Sequence, residues 1–213
     1  MKNTREIKTI VCYGDSNTWG KVPRKNERYP RDVRWPGALQ NLLGNKFEVI
    51  SEGLCGRTFI AVDPEKPHRS GMGSLQSILE SASPIDLLII MLGTNDIKTT
   101  YNLTPEEIAD HLQQTIKFSR NVSVDDVVPK ILVVCPSPVI TPGTNDLDSR
   151  MIPGPKAFKS LPGLFKDVAQ KLNCGFINAG DYISSSEIDG YHLDSESHIK
   201  LAGVINDWIK ENI

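Results

Sequence analysis

The chain has 213 residues, of which 39% are hydrophobic, and a formal net charge of −2 at pH 7. This length and composition suffice for one substantial core, so we expect a single domain over residues 1–213. The chain lacks the excess of basic residues that is typical of nucleic-acid-binding proteins. No apolar run reaches the roughly 20 residues of a membrane span, and the first residues lack the apolar core of a signal peptide. A cytoplasmic protein without nucleic-acid or membrane partners is predicted.

The first predicted element is a buried strand from Ile7 to Tyr13, followed at once by Gly14-Asp15-Ser16. Ligands of open α/β sheets bind at the carboxyl ends of the strands, so Ser16 is predicted to face a cleft. Gly14 permits a sharp turn, after which backbone N–H groups at a helix start would lie beside the serine. A lone Gly-Asp-Ser is weak support for a site, because such tripeptides mostly form ordinary turns.

Strands and helices alternate along the rest of the chain. The further predicted strands are 47–50, 85–92, 130–135 and 176–179. The predicted helices are 35–43, 75–82, 105–120, 156–172 with a break at 162–163, and 195–212. Thr104 and Asp194 are suitable N-caps, and Glu107 would complete a capping box with Thr104. The alternation predicts a three-layer α/β/α domain around a parallel sheet of five strands.

The longest loop and the cysteines suggest more specific roles. The loop from Pro136 to Pro155 is longer than most connections, which predicts a wall of a functional site or an interface. The four cysteines are widely spaced and form no C-x-x-C pair, which disfavours a zinc site or a disulfide framework. Cys12 and Cys135 fall in predicted strands as small hydrophobic groups, and for Cys55 a packing role is favoured over a catalytic one.

Chemistry-bearing residues follow four of the predicted strands: Ser16, Gly56, Asn95, and Asp189 with His192. Because the carboxyl ends of parallel strands share one sheet edge, these residues are predicted to meet. A nucleophilic serine needs a base, and the base needs a third group that holds its tautomer. Asp189 and His192 would supply both from one tight loop. The Ser16 amide, the Gly56 amide and the Asn95 side chain would donate hydrogen bonds to one oxyanion.

Each of these residues also has an ordinary structural interpretation. Asp189-Gly190 alone is most often a turn, Asn95 would serve equally as a strand-end turn residue, and Gly56 would serve only its own loop. The conjunction at one sheet edge favours the catalytic interpretation. Gly93-Thr94-Asn95-Asp96 recurs at 143–146, but that copy lies several residues beyond a strand end and is interpreted as loop.

Other residues compete for roles in the site. His68, His111 and His198 are alternative bases, and the Asp194–His198 pair is predicted to stabilise a helix start instead. The sequence leaves two pairs of interpretations open. Arg34 and Arg57 would either bind an anionic group or form buried ion pairs, and Trp19 and Trp35 would either line a pocket or pack in the core.

The order of Gly14-Asp15-Ser16, Gly56, Gly93-Thr94-Asn95-Asp96 and Asp189-x-x-His192 resembles that of the SGNH (GDSL-type) hydrolases over residues 14–192. Longer stretches at 14–20, 32–35, 52–58 and 89–96 resemble the bacterial arylesterase and acyltransferase branch, which includes perhydrolase-type enzymes. Two features depart from that branch. Lys21 stands where a second tryptophan is common, and residues 139–158 have no recognisable counterpart.

The resemblance implies a flavodoxin-like fold, a Ser16–His192–Asp189 triad, and an oxyanion hole from Ser16, Gly56 and Asn95. It implies small acetyl-type esters as substrates, acyl transfer as a side activity, neither metal nor cofactor, and a homo-oligomer such as an octamer. The residues assigned to the substrate side of the site are Asp15, Trp19 and Thr94. A carbohydrate O-acetyl esterase and a non-catalytic ligand-binding scaffold are the alternatives. A nucleotide-binding module is disfavoured, since residues 14–20 match neither G-x-G-x-x-G nor a P-loop.

Overall fold

The computed structural model describes residues 6–122, 128–143 and 146–213. The strands are β1 (Lys8–Gly14), β2 (Phe47–Gly53), β3 (Leu87–Met91), β4 (Lys130–Cys135) and β5 (Gly175–Asn178). The helices are α1 (Ser16–Trp19), α2 (Trp35–Leu43), α3 (Gly71–Ala82), α4 (Pro105–Asn121), α5 (Gly154–Ala157), α6 (Leu161–Lys171) and α7 (Ser195–Asn212). All strand pairs are parallel, in the order β2-β1-β3-β4-β5. This order confirms the predicted flavodoxin-like α/β/α fold.

Helices cover both faces of the sheet. In β1, Val11 and Tyr13 point to one face, while Ile10 and Cys12 point to the other. The first face packs against α3, α4 and α6, and the second packs against α2 and α7. Because both faces are buried, β3 consists of five buried apolar residues in succession.

The observed element bounds agree best with prediction where end signals are strong. At the start of α4, Thr104 Oγ1 accepts from the Glu107 N–H at 3.2 Å, and Glu107 Oε2 accepts from the Thr104 N–H at 2.8 Å. The predicted division of 156–172 into helical segments is correct, but the position predicted for the break, 162–163, is wrong. Residues 158–160 separate α5 from α6, and Pro162 lies in the first turn of α6, where its missing N–H costs nothing.

β2 is longer than predicted. It continues to Gly53, which pairs with Gly14, and polar Ser51 and Glu52 lie within it. The strand lies at the sheet edge and is only half buried, so polar residues do not end it.

The sheet has its topological switch point at β1. From β1 the chain crosses to β2 on one side and later to β3 on the other, which opens a crevice at the carboxyl ends of β1 and β3. Gly14 lets these ends approach, because a Cβ there would lie 2.8 Å from the Met91 carbonyl oxygen and 2.0 Å from Thr18 Oγ1. Ser16 follows β1 directly, and residues 93–96 follow β3.

All four cysteines are free thiols, and Cys12 and Cys135 are buried in β1 and β4 as predicted. Of the helices in the described ranges, none combines the length and apolar character needed to cross a membrane. The same ranges contain no group of three or more His, Cys, Asp or Glu side chains arranged to hold a metal ion.

Candidate active site

Ser16, His192 and Asp189 form one hydrogen-bonded row. His192 Nε2 lies 3.0 Å from Ser16 Oγ, and His192 Nδ1 lies 2.7 Å from Asp189 Oδ2. The three residues are 6%, 5% and 3% exposed, so water is largely excluded from the row. The spacing lets the imidazole take a proton from the serine while the carboxylate fixes its other nitrogen.

Backbone donors hold the Asp189 carboxylate in place. Oδ1 accepts from the N–H groups of Tyr191 at 3.3 Å and His192 at 3.0 Å, and Oδ2 accepts from the Arg24 N–H at 3.2 Å. Gly190, with φ of +85°, makes the turn that folds these donors back onto the carboxylate. Burial alone would raise the pKa of Asp189, but the hydrogen bond and charge of the His192 ring outweigh it and hold that pKa below its usual value.

Asn17 joins the serine turn to the histidine loop. Its Oδ1 accepts from the Leu193 N–H at 3.0 Å, and its Nδ2 donates to the Tyr191 carbonyl at 3.0 Å. These bonds flank His192, so they bring its ring to Ser16 across 176 residues of sequence. Sequence reasoning assigned Asn17 no role, although an amide side chain directly after the candidate nucleophile was a usable signal.

Two backbone N–H groups are free to donate to an oxyanion. Neither the Ser16 nor the Gly56 amide has an acceptor in the part of the chain described. Ser16 begins α1, where the first N–H groups have no partner within the helix. Gly56 has φ of +82°, a conformation that side chains rarely allow, so a glycine is required there.

The Asn95 amide is fixed at both ends. Its Oδ1 accepts from Lys98 Nζ at 2.6 Å, which orients the amide. Its Nδ2 donates to Asp15 Oδ2 at 3.2 Å and to the Arg57 carbonyl at 3.1 Å. Asn95 therefore reaches an oxyanion only by sharing one of these hydrogens, and its role as a donor remains a prediction. Lys98, three residues after Asn95, was overlooked in the sequence.

Two buried carboxylates support the site from behind. Asp15 caps α1, with Oδ1 accepting from the Asn17 N–H at 2.9 Å. Burial raises the pKa of Asp15 despite that hydrogen bond. Asp96 Oδ1 accepts from the Phe59 N–H at 2.9 Å, while its Oδ2 is buried and has no partner among the described residues. Burial raises the pKa of Asp96 to about 7.

A cavity of about 420 Å³ opens beside Ser16. Trp19 and Cys55 line it, as does Met151 from the long loop that was predicted to form either a wall or an interface. Asp15 and Thr94, two of the residues assigned to the substrate side, are buried and do not line the cavity. Asp15 instead accepts a hydrogen bond from Asn95, which does line the cavity.

The competing histidines lie away from the Ser16–His192–Asp189 row. His68 lies in an exposed turn, and His111 lies on α4. His198 is fully buried in α7, where its Nδ1 accepts from the Trp35 N–H at 3.4 Å, and burial lowers its pKa to about 4. Asp194 caps α7 by accepting from the Ser197 N–H at 2.8 Å, in line with the predicted structural role.

The structure places these arginines and tryptophans in different surroundings. Arg57 is buried against the Tyr13 ring and donates to backbone carbonyls, so it is structural. Arg34 lines a separate pocket with two other arginines. Trp35 packs in the core. Of the second Gly-Thr-Asn-Asp tetrapeptide, Thr144 and Asn145 lie outside the described residues.

Comparison with known proteins finds one matching family and several similar structures. The model of the GDSL-like lipase/acylhydrolase family matches residues 12–203. The structure of Est24, a carbohydrate acetylesterase from Sinorhizobium meliloti, is 36% identical with a TM-score of 0.91, and the match covers 97% of this chain and 100% of that one. The inhibitor-bound aryl esterase of M. smegmatis is 33% identical with a TM-score of 0.91, over 97% and 100% of the two chains.

A curated relative is larger. An acetylxylan esterase of Xylanibacter ruminicola is 26% identical over an alignment of 219 residues, and the alignment covers 94% of this chain. The chain spans 43% of the length of that relative.

Proposed function

The chain belongs to the GDSL-like lipase/acylhydrolase family, and we propose that it is a serine esterase that cleaves small acyl esters, above all acetyl esters. Family membership confirms the prediction of a carboxylic ester hydrolase. The observation that carries the proposal is the row formed by Ser16 Oγ, the His192 ring and the Asp189 carboxylate, with neighbouring distances of 3.0 and 2.7 Å.

In the proposed mechanism, His192 Nε2 accepts the Ser16 proton as Oγ attacks the ester carbonyl carbon. Asp189 keeps the second ring proton on Nδ1, so Nε2 is free to accept. The developing oxyanion would receive hydrogen bonds from the Ser16 and Gly56 N–H groups, with the Asn95 amide as the third donor. His192 then protonates the leaving alcohol, and water attacks the acyl-enzyme with the same base.

Several observations support small acyl esters. The cavity beside Ser16 is about 420 Å³ in volume, and the structural relatives include a carbohydrate acetylesterase and an aryl esterase. A carbohydrate O-acetyl ester is the second candidate substrate, favoured by the similarity to Est24 and to the acetylxylan esterase.

Acyl transfer to alcohols or peroxide is proposed as a side activity, in which the acceptor replaces water in deacylation. The homo-oligomer, with an octamer as one form, also remains a proposal, which light scattering tests.

The decisive variant is Ser16→Ala. We expect it to lower kcat on 4-nitrophenyl acetate by about 10³-fold or more, because no other hydroxyl lies beside His192 Nε2 in the described part of the chain. A fluorophosphonate probe should label the wild-type protein and not this variant. The matched control is Ser77→Ala, which removes an exposed serine hydroxyl on α3. Near-normal turnover in Ser16→Ala would refute the assignment of Ser16 as the nucleophile. If the wild-type protein shows neither labelling nor turnover, the non-catalytic scaffold is favoured.

A further inference from the structure

Cationic side chains surround the cavity beside Ser16. They are Lys21, Lys66, Arg69, Lys98 and Arg150. The cavity's surface carboxylate, Asp148, is already paired with Arg150 at 2.6 Å. The whole chain has a formal net charge of −2, so the positive charge around this opening is a local excess. The proposed hydrolysis of a neutral ester does not require it.

Apart from Arg150, these cations lack an ion-pair partner among the described residues, although the buried Asp15 carboxylate attracts Lys98. Among the described residues, Lys21, Lys66, Arg69 and Lys98 form no ion pair. The Nε of Arg69 is buried without a hydrogen-bond partner. The Lys98 ammonium lies behind Asn95, and burial first, then the nearby Arg150 charge, lowers its pKa. Unpaired like charges oppose one another, and an anionic ligand would relieve that repulsion.

Arg69 places this charge next to the reacting atoms. A Cβ built on Gly56 would lie 2.9 Å from Arg69 Nη1, so the guanidinium packs directly against the glycine whose N–H is a proposed oxyanion donor. A substrate held at Ser16 would therefore have Arg69 beside its ester group and Lys66 at the exposed edge of the cavity. Both side chains can reach a second, charged group of the same molecule.

We propose that the preferred substrates are acetyl esters whose alcohol part carries a negatively charged group, either a carboxylate or a phosphate. This inference rests on the proposed esterase function. An acetyl group has no room for a second charge, so the anion must lie on the alcohol part. A cavity lined by one sign of charge raises the local concentration of an oppositely charged substrate and its rate of association.

The test compares three acetyl esters of similar size: 4-acetoxybenzoate, 4-acetoxyphenyl phosphate and the neutral 4-acetoxybenzamide. Each kcat/KM is divided by the rate of alkaline hydrolysis, which corrects for the leaving group. At low salt we expect at least one anionic ester to exceed the amide by about tenfold or more. Preference for one anion over the other identifies the charged group. The preference should shrink between about 10 mM and 0.5 M NaCl, as the Debye length falls from about 30 Å to well below 10 Å.

Two variants locate the effect. Arg69→Gln and Lys66→Gln should each reduce the anion-to-amide ratio severalfold, and the exposed position of Lys66 keeps its variant informative if Arg69→Gln fails to fold. The control is Lys117→Gln, which removes the same charge from an exposed position on α4 and should leave the ratio unchanged. A wild-type ratio near one, with 4-acetoxybenzamide still cleaved, overturns the anion proposal alone. If the protein cleaves neither 4-acetoxybenzamide nor 4-nitrophenyl acetate, the esterase function itself is overturned.

Discussion

Replacing Asp189 by asparagine should disable the base without disturbing the fold. Three backbone N–H groups point at this carboxylate, two at Oδ1 and one at Oδ2. The asparagine oxygen therefore takes the Oδ1 position, where it keeps two acceptor bonds, and its NH₂ group takes the Oδ2 position, where only the bond from the Arg24 N–H is lost. That NH₂ faces His192 Nδ1 at about 2.7 Å and donates to it. The ring proton then moves to Nε2, which can no longer accept the Ser16 proton.

The opposite orientation of the amide is worse, because its NH₂ would face the N–H groups of Tyr191 and His192. The wrong tautomer in a Ser-His-Asp arrangement costs about 10⁴-fold in kcat, or about 5.5 kcal/mol of transition-state stabilisation. We therefore expect Asp189→Asn to lose about 10⁴-fold in kcat on 4-nitrophenyl acetate, with an unchanged far-UV circular dichroism spectrum. Asp207→Asn, at an exposed carboxylate on α7, is the control and should keep full activity. An Asp189→Asn enzyme within tenfold of the wild type would refute the tautomer argument.

Two further predictions follow from the residues behind the nucleophile. Asn95→Ala should lower kcat on 4-nitrophenyl acetate by about 10²-fold, and a change in KM alone would make Asn95 a binding residue. Asp96→Asn should alter how stability depends on pH, because burial raises the pKa of Asp96 from 3.8 to about 7. Between about pH 4 and 7 the folded protein keeps a proton that the unfolded chain releases, so the free energy of unfolding falls as the pH rises, by up to about 4 kcal/mol. Asparagine retains the acceptor for the Phe59 N–H and removes that fall, which urea denaturation from pH 4.5 to 8 would measure. The same slope in both proteins would contradict the assignment.

The site is connected to the fold through the switch point of the sheet. Ser16 and Asn95 follow β1 and β3, the neighbouring strands at that point, and Asn17 fixes the loop that carries His192 to the same place. Arg24 contributes through its backbone N–H, at a φ of +57° that is uncommon for a residue with a side chain. No side-chain pattern could have revealed that contact, because any residue except proline supplies an N–H.

The sequence by itself determined the layers of the fold and the main candidates for catalysis. Apolar runs such as β3 and the capping signals before α4 and α7 are local, so they can be recognised without knowing what they pack against. The tertiary structure decided which charges meet. Lys66 and Arg69 share one turn, Lys98 and Arg150 come from two other segments, and the four surround one cavity only after folding. Two partners of Asn95, the Asp15 carboxylate and the Arg57 carbonyl, come from loops far from it in the chain. Proximity between distant segments is set by how the layers pack, and no local pattern records it.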